Sequence, residues 1–197
     1  MNKKYLNTGR TNQKLGTRNL ILKTAQKFLS SGLDFNLEDI AKEAGISRAT
    51  VYRYFSNIDI LAAEAGLDIS TKDPRQLYEE VKGKDVEKQV LKIQHYYNNL
   101  AIDHEMLFRK YLSTVLDSNT STPKRGARRM KTFELVLANT NYSKEEKQKL
   151  SNLFTILMGI EPIIVSKDVC GLNDDESLEI LAWGVSLLFK GLKDSKD

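Results

Sequence analysis

Arg48, Ala49, Tyr52 and Arg53 stand in one short run, RATVYRYF, whose spacing turns them to one side of a helix and Val51 and Phe55 to the other. An arginine can donate two parallel hydrogen bonds to O6 and N7 of guanine, and an alanine methyl can touch the methyl of thymine. Thr50, Tyr52 and Tyr54 add hydroxyls suited to phosphate oxygens, which fix register rather than sequence. The chemistry on offer is recognition of a nucleic-acid groove. No Gly-rich phosphate loop, nucleophile elbow or zinc-protease motif occurs, so no residue is assigned a catalytic role and no enzyme is expected. His95 and His104 lie nine positions apart and share no i, i+4 face, and the single cysteine, Cys170, is distant in sequence. No metal site and no cofactor is expected.

The elements that would position these side chains are legible around them. Leu37, Ile40, Ala41 and Ala44 recur at helical spacing after Asn36, a good N-cap residue, with Asp39 near the positive helix end. Ala44-Gly45-Ile46 predicts a corner, Gly45 supplying a positive φ. Ser47 then caps a second helix, Arg48 to Phe55, whose Val51 and Phe55 pack inward with Ile46. This is the layout of a helix-turn-helix. A preceding helix, Thr17 to Ser31, with Ile21, Ala25, Phe28 and Leu29 as its buried stripe, completes a three-helix unit that Gly32 ends.

Together, Leu20-Ile21-Leu22, Ala25, Phe28-Leu29 and Gly32, then Asp39-Ile40-Ala41 with Ala44-Gly45-Ile46-Ser47, then Thr50-Val51-Tyr52-Arg53-Tyr54-Phe55, resemble the N-terminal domain of TetR-family transcriptional regulators. The resemblance covers about the first third of the chain. It implies an all-helical homodimer that binds near-palindromic operator DNA, as a repressor more often than an activator, and lets go when a small-molecule effector binds. It also implies Asn36, Ser47, Arg48, Ala49, Thr50, Tyr52, Arg53, Tyr54 and Asn57 as the DNA-contacting set. One position departs from the family pattern: a lysine that commonly touches phosphate is replaced by Ile58. A helical interaction module of the same fold, without specific operator binding, is the alternative that this departure favours.

Charge placement agrees with a nucleic-acid partner. Residues 1–72 carry eleven Lys/Arg against seven Asp/Glu, whereas residues 73–197 carry nineteen of each. The first thirty residues hold seven basic groups and no acidic one, the electrostatic footprint of a DNA-binding segment. No apolar run approaches the ~18 residues that span a bilayer. With a lone cysteine and no apolar leader, a cytoplasmic protein without membrane partners is expected.

The rest of the chain reads as helices, giving an all-α expectation in three parts: a basic flexible arm at 1–16, the DNA-binding domain with its connecting helix at 17–72, and a larger helical effector-binding and dimerisation domain at 73–197. Ser56 is expected to cap the connecting helix, Asp73-Pro74 to break the pattern, Asp103 to cap a helix, and Thr122-Pro123 to start another. Tyr96, Tyr97, Met106, Phe108, Tyr111, Met130 and Phe133 are candidate liners of an effector pocket. Arg125, Arg128 and Arg129 form a basic helix face open to solvent or to an anionic effector. Ser143 and Asn173 open capping-box sequences. Behind them, Leu150, Leu153, Leu157 and Ile160, and Leu178, Leu181, Val185 and Leu188, form two heptad-like stripes. Gly159 and Gly184 would permit close approach and Pro162 would kink the first helix. Such stripes serve a monomer's core or a dimer interface; the family resemblance implies the interface.

Overall fold

The computed structural model describes residues 3–117 and 127–194, and every regular element among the described residues is helical. The backbone divides into two compact units, Met1–Ser70 with Lys110–Asn119, and Thr71–Arg109 with Thr120–Asp197. The return of Lys110–Asn119 to the first group has no local sequence signal, because it depends on long-range contacts. Lys110 Nζ reaches Asp59 Oδ1 at 2.7 Å and Leu112 is buried.

In the first unit, α1 spans Lys3–Ser31. It therefore starts far ahead of Thr17, and residues 3–16 of the expected arm form the leading part of the helix, residues 1 and 2 lying outside the described residues. The segment holds no proline to stop it, and the Thr17 hydroxyl donates to the carbonyl of Gln13, four residues back, as a residue inside a helix does. Ile21, Leu22 and Ala25 are buried, while Leu29, expected inside, faces solvent. Helices α2 (Leu37–Glu43), α3 (Arg48–Tyr54) and α4 (Ile58–Ser70) follow. The core joins Ile21, Leu22 and Ala25 of α1 to Ile40, Val51, Phe55 and Leu61. Ser56 does not cap α4. Asn57 does, its Oδ1 accepting from the Asp59 N–H at 2.6 Å.

The second unit opens with α5 (Pro74–Val81), where Asp73 caps and Pro74 occupies the first helical position, which needs no N–H. The Asp-Pro pair thus starts a helix as well as ending one. Helix α6 (Val86–Asp103) is the central element, capped by Asp85. Asp103 is its last residue rather than the cap of the next helix, α7 (Glu105–Asp117), with His104 at the junction. The expected Thr122-Pro123 start and Arg125 lie outside the described residues, and α8 is described over Ala127–Ala138. Helix α9 (Lys144–Ile156) begins with the expected Ser143–Glu146 capping box. Asn173 and Glu176 exchange the corresponding pair of bonds before α11 (Asp174–Asp194).

Between them the chain breaks. Helix α10 (Ile160–Ile164), continued by a π-helical turn at Val165–Val169, departs from α9 at 45°. Pro162 is not the cause, since it sits in the first turn of α10, where a missing N–H costs little. The break is at Gly159, whose φ of +87° only glycine adopts easily. Asn98 Oδ1 accepts the Gly159 N–H at 2.8 Å, and Gln94 Nε2 donates to the carbonyls of Leu157 and Leu181, both at 2.9 Å. Two fully buried polar side chains of α6 thus replace backbone bonds that the helix end leaves open. In the same core Phe154 packs tilted against Phe133 and stacked on Phe189, with centroids 5.5 and 5.4 Å apart. Each such ring, fully buried, is worth about 1.5–3 kcal/mol.

No single described helix is long and apolar enough to cross a membrane.

Candidate nucleic-acid interface

The site is built on two short helices that hold their shape through local bonds. Asn36 Oδ1 accepts from the N–H groups of Glu38 and Asp39, and Asp39 Oδ2 accepts from the Asn36 N–H in return. This reciprocal box, with Asp where Glu is usual, fixes the start of α2. At the corner Gly45 takes φ +65°, and the Ile46 N–H donates to the Ala41 carbonyl at 3.0 Å. A Cβ at Gly45 would meet nothing within 4 Å, so backbone conformation alone demands the glycine there. Ser47 Oγ accepts from the Thr50 N–H and shares a 2.9 Å bond with Thr50 Oγ1. Val51 and Phe55 are buried beneath, as their spacing predicts.

Of the nine expected contact residues, the outward set is Arg48, Ala49, Tyr52 and Arg53, all exposed on α3. The Arg53 guanidinium lies 5.4 Å from the Tyr54 ring centroid, a stacking that holds the cation at the helix end. Tyr54 itself is half-buried against the core. The side-chain oxygens of Asn36, Ser47 and Asn57 serve as helix caps and Thr50 is bound to Ser47, so these four fix the starts of α2, α3 and α4. Tyr52 is not free either. Its hydroxyl donates to Glu38 Oε1 at 2.9 Å, and that bond, more than slight desolvation or the Glu38 charge, raises the phenol above its ordinary pKa. Glu38 has no place among the expected contacts. Its signal was its position one turn ahead of Lys42 on the helix facing α3, which sequence alone does not link to Tyr52.

A second unforeseen feature lies behind the pair. Arg18 of α1 bonds Glu64 of α4 and places its guanidinium 5.1 Å from the Phe55 ring centroid. Gln26 Nε2 reaches Asp68 Oδ2 at 2.8 Å along the same seam. Basic residues in the first thirty therefore include one committed to internal structure. Ile58, where the family resemblance implies lysine, packs on the core of the unit.

In the second unit four of the seven expected pocket residues, Tyr96, Tyr97, Phe108 and Phe133, belong to one packed hydrophobic cluster. Tyr97 and Phe133 are core residues, the Tyr97 hydroxyl 3.2 Å from Thr132 Oγ1. Burial pushes the Tyr97 phenol up. Phe108 packs on the same core and Met130 Sδ accepts from the Thr155 hydroxyl at 3.1 Å. Met106 points to solvent, 81% exposed. Tyr111 falls in the segment grouped with the first unit. Only Tyr96 of the seven lines a described groove, of about 460 Å³, with Lys72, Glu80, Lys92, His95 and Asp103 among its walls and Leu77, Val81 and Leu100 as apolar floor. Arg128 and Arg129 are not a solvated face: Arg129 pairs with Glu161 at 2.9 and 3.1 Å and bonds the Met158 carbonyl, and Arg128 donates to the Thr71 carbonyl.

The expected interface stripes also turn inward. Leu150, Ile160, Leu181 and Val185 are buried within the single chain, and Leu157 and Leu188 pack on its core. Leu178 is half-buried and Leu153 lies at the edge of exposure. The reason is that α10 and α11 pack on α6 and α9 packs on α8, and their most regular apolar rows make those contacts. Gly159 makes room for Arg129, whose Nη1 a Cβ would overlap, not for a second chain. What α11 leaves outside is Ile180, Trp183 and Leu187, at 43, 58 and 44% exposure.

Among the described residues no group of three or more His, Cys, Asp or Glu side chains could hold a metal ion. Residues 21–65 match the model of a family described as bacterial regulatory proteins, tetR family. No curated protein matches the chain at a significant level.

Proposed function

We propose, from the match of residues 21–65 to the tetR family of bacterial regulatory proteins, that this chain is a DNA-binding repressor that binds a near-palindromic operator as a homodimer and is released by a small-molecule effector. The observation that carries the reading is the outward face of α3, where Arg48, Ala49 and Arg53 stand exposed on a helix clamped at both ends. Arg48 and Arg53 are the base readers. A two-fold pair of such helices meets half-sites one DNA turn apart, or a multiple of it.

The proposed dimer contact is the Ile180, Trp183 and Leu187 stripe, an i, i+3, i+7 row on a 21-residue helix. An exposed tryptophan flanked by aliphatic residues is the residue type that dominates association energy. The proposed effector site is the Lys72–Asp103 groove, whose size is in the range of small-molecule sites. Its mixture of cationic, anionic and aromatic walls favours a polar ligand with an apolar part. For release, the effector must bind one state more tightly than the other.

The test is retention on duplex DNA across a salt series, with Arg48→Ala beside the wild-type chain. Wild-type affinity falls steeply as salt rises, because phosphate contacts release counterions. Arg48→Ala weakens binding to the preferred duplex by ~1–3 kcal/mol and leaves random DNA nearly unaffected. A chain that ignores DNA at every salt concentration is instead a helical interaction module of this fold.

A further inference from the structure

The hydrogen bond that Tyr52 already makes limits what α3 can read. A phenol has one proton to donate and lone pairs with which to accept. That proton is directed to Glu38 Oε1, 2.9 Å away. What the exposed Tyr52 hydroxyl, on a residue 47% open to solvent, still offers is acceptor capacity. The carboxylate of Glu38 is itself an acceptor only. Two acceptors sharing one proton suit neither a phosphate oxygen nor guanine O6 or thymine O4, which are acceptors too. A phosphate would in addition meet the charge of Glu38. In the major groove, the partners with N–H to spare are the exocyclic amino groups, N6 of adenine and N4 of cytosine.

We propose that Glu38 and Tyr52 form one accepting pair that selects an amino-bearing base, adenine or cytosine, at one position of each half-site. Tyr52 is then a base reader rather than a phosphate anchor, and Glu38, on the helix before the reading helix, is its positioning residue. Arg48 sits near enough for its charge to act on the Tyr52 phenol, so the face presents a donor beside an acceptor. The inference rests on the DNA-reading role of α3 argued above.

The test is selection from a random duplex pool by the full chain and by Glu38→Ala, Tyr52→Phe and the double variant, all checked for unchanged helix content and melting. The expected wild-type motif has one position per half-site favouring adenine or cytosine about tenfold. Both single variants lose that preference, the double variant loses no more than either, and the other positions keep theirs. Replacing the selected base with an analogue lacking the amino group costs the wild-type chain about tenfold in affinity and the variants little. Variants that weaken binding evenly over all sequences would show Glu38 to be only a helix-stabilising residue and overturn the proposal. So would variants that leave the motif intact. A wild-type pool without any motif would overturn the operator reading first and this one with it.

Discussion

Single residues decide both working regions of this chain, and in each case by where their polar atoms are already spent. Asn36, Ser47, Thr50 and Asn57 each use a side-chain oxygen locally to fix a helix end, while Arg48, Ala49, Tyr52 and Arg53 form the exposed face of α3. Gly159 is the counterpart in the second unit. It combines φ +87° with the Arg129 guanidinium standing where a side chain would begin. Gly159→Ala must therefore strain the backbone and displace an ion pair with Glu161. The expected loss is about 1–3 kcal/mol of unfolding free energy, read as a lower urea midpoint. An unshifted midpoint would mean the break can be made without glycine.

At the scale of elements, the helix-turn-helix was almost wholly legible, because its caps, corner glycine and apolar spacing are local signals that agree with one another. The apolar rows of α9 and α11 were equally visible, but periodicity states only that a face is covered, not by what. Ile160, Leu181 and Val185 turned out to be buried on helices that pack against α6 of their own chain, and Leu150 on one that packs against α8. The break at Gly159 was hidden for a related reason: it depends on Asn98 and Gln94, some sixty residues away in sequence. Ion pairing at the start of α7 was invisible too. Glu105 binds Arg109 and Lys167, Arg109 binds Asp168 with both nitrogens of its fork, and Lys167 also reaches Asp174. Lys167 foremost and then Arg109 hold the Glu105 carboxyl below its usual range, and Arg109 does the same for Asp168. Both shifts are downward. Their stabilising contribution is therefore complete above the ordinary carboxylate range and lost as pH falls through the depressed folded values. Urea midpoints measured from about pH 6 to pH 3 should drop on the acid side. Arg109→Met should flatten that drop; parallel curves for the two chains would contradict the assignment.

For the whole molecule, the proposed function requires two copies presenting two copies of α3, and the proposed contact is the Ile180, Trp183, Leu187 stripe that α11 leaves open. Trp183→Glu places a charge at its centre without touching the core. Sedimentation should show a dimer for the wild-type chain and a monomer for the variant, both with full helix content. A variant that remains dimeric would move the contact elsewhere. On this proposal Trp183→Glu should also weaken DNA binding, since a monomer engages one half-site and loses the effective concentration that links the second.

The most direct measurement is therefore the sequencing of duplexes that the intact chain retains from a random pool at physiological salt. The expected outcome is an enriched motif with two-fold symmetry, its half-sites separated by about 10–10.5 base pairs or a multiple of that repeat. A pool that stays random, or a motif without symmetry, would contradict it.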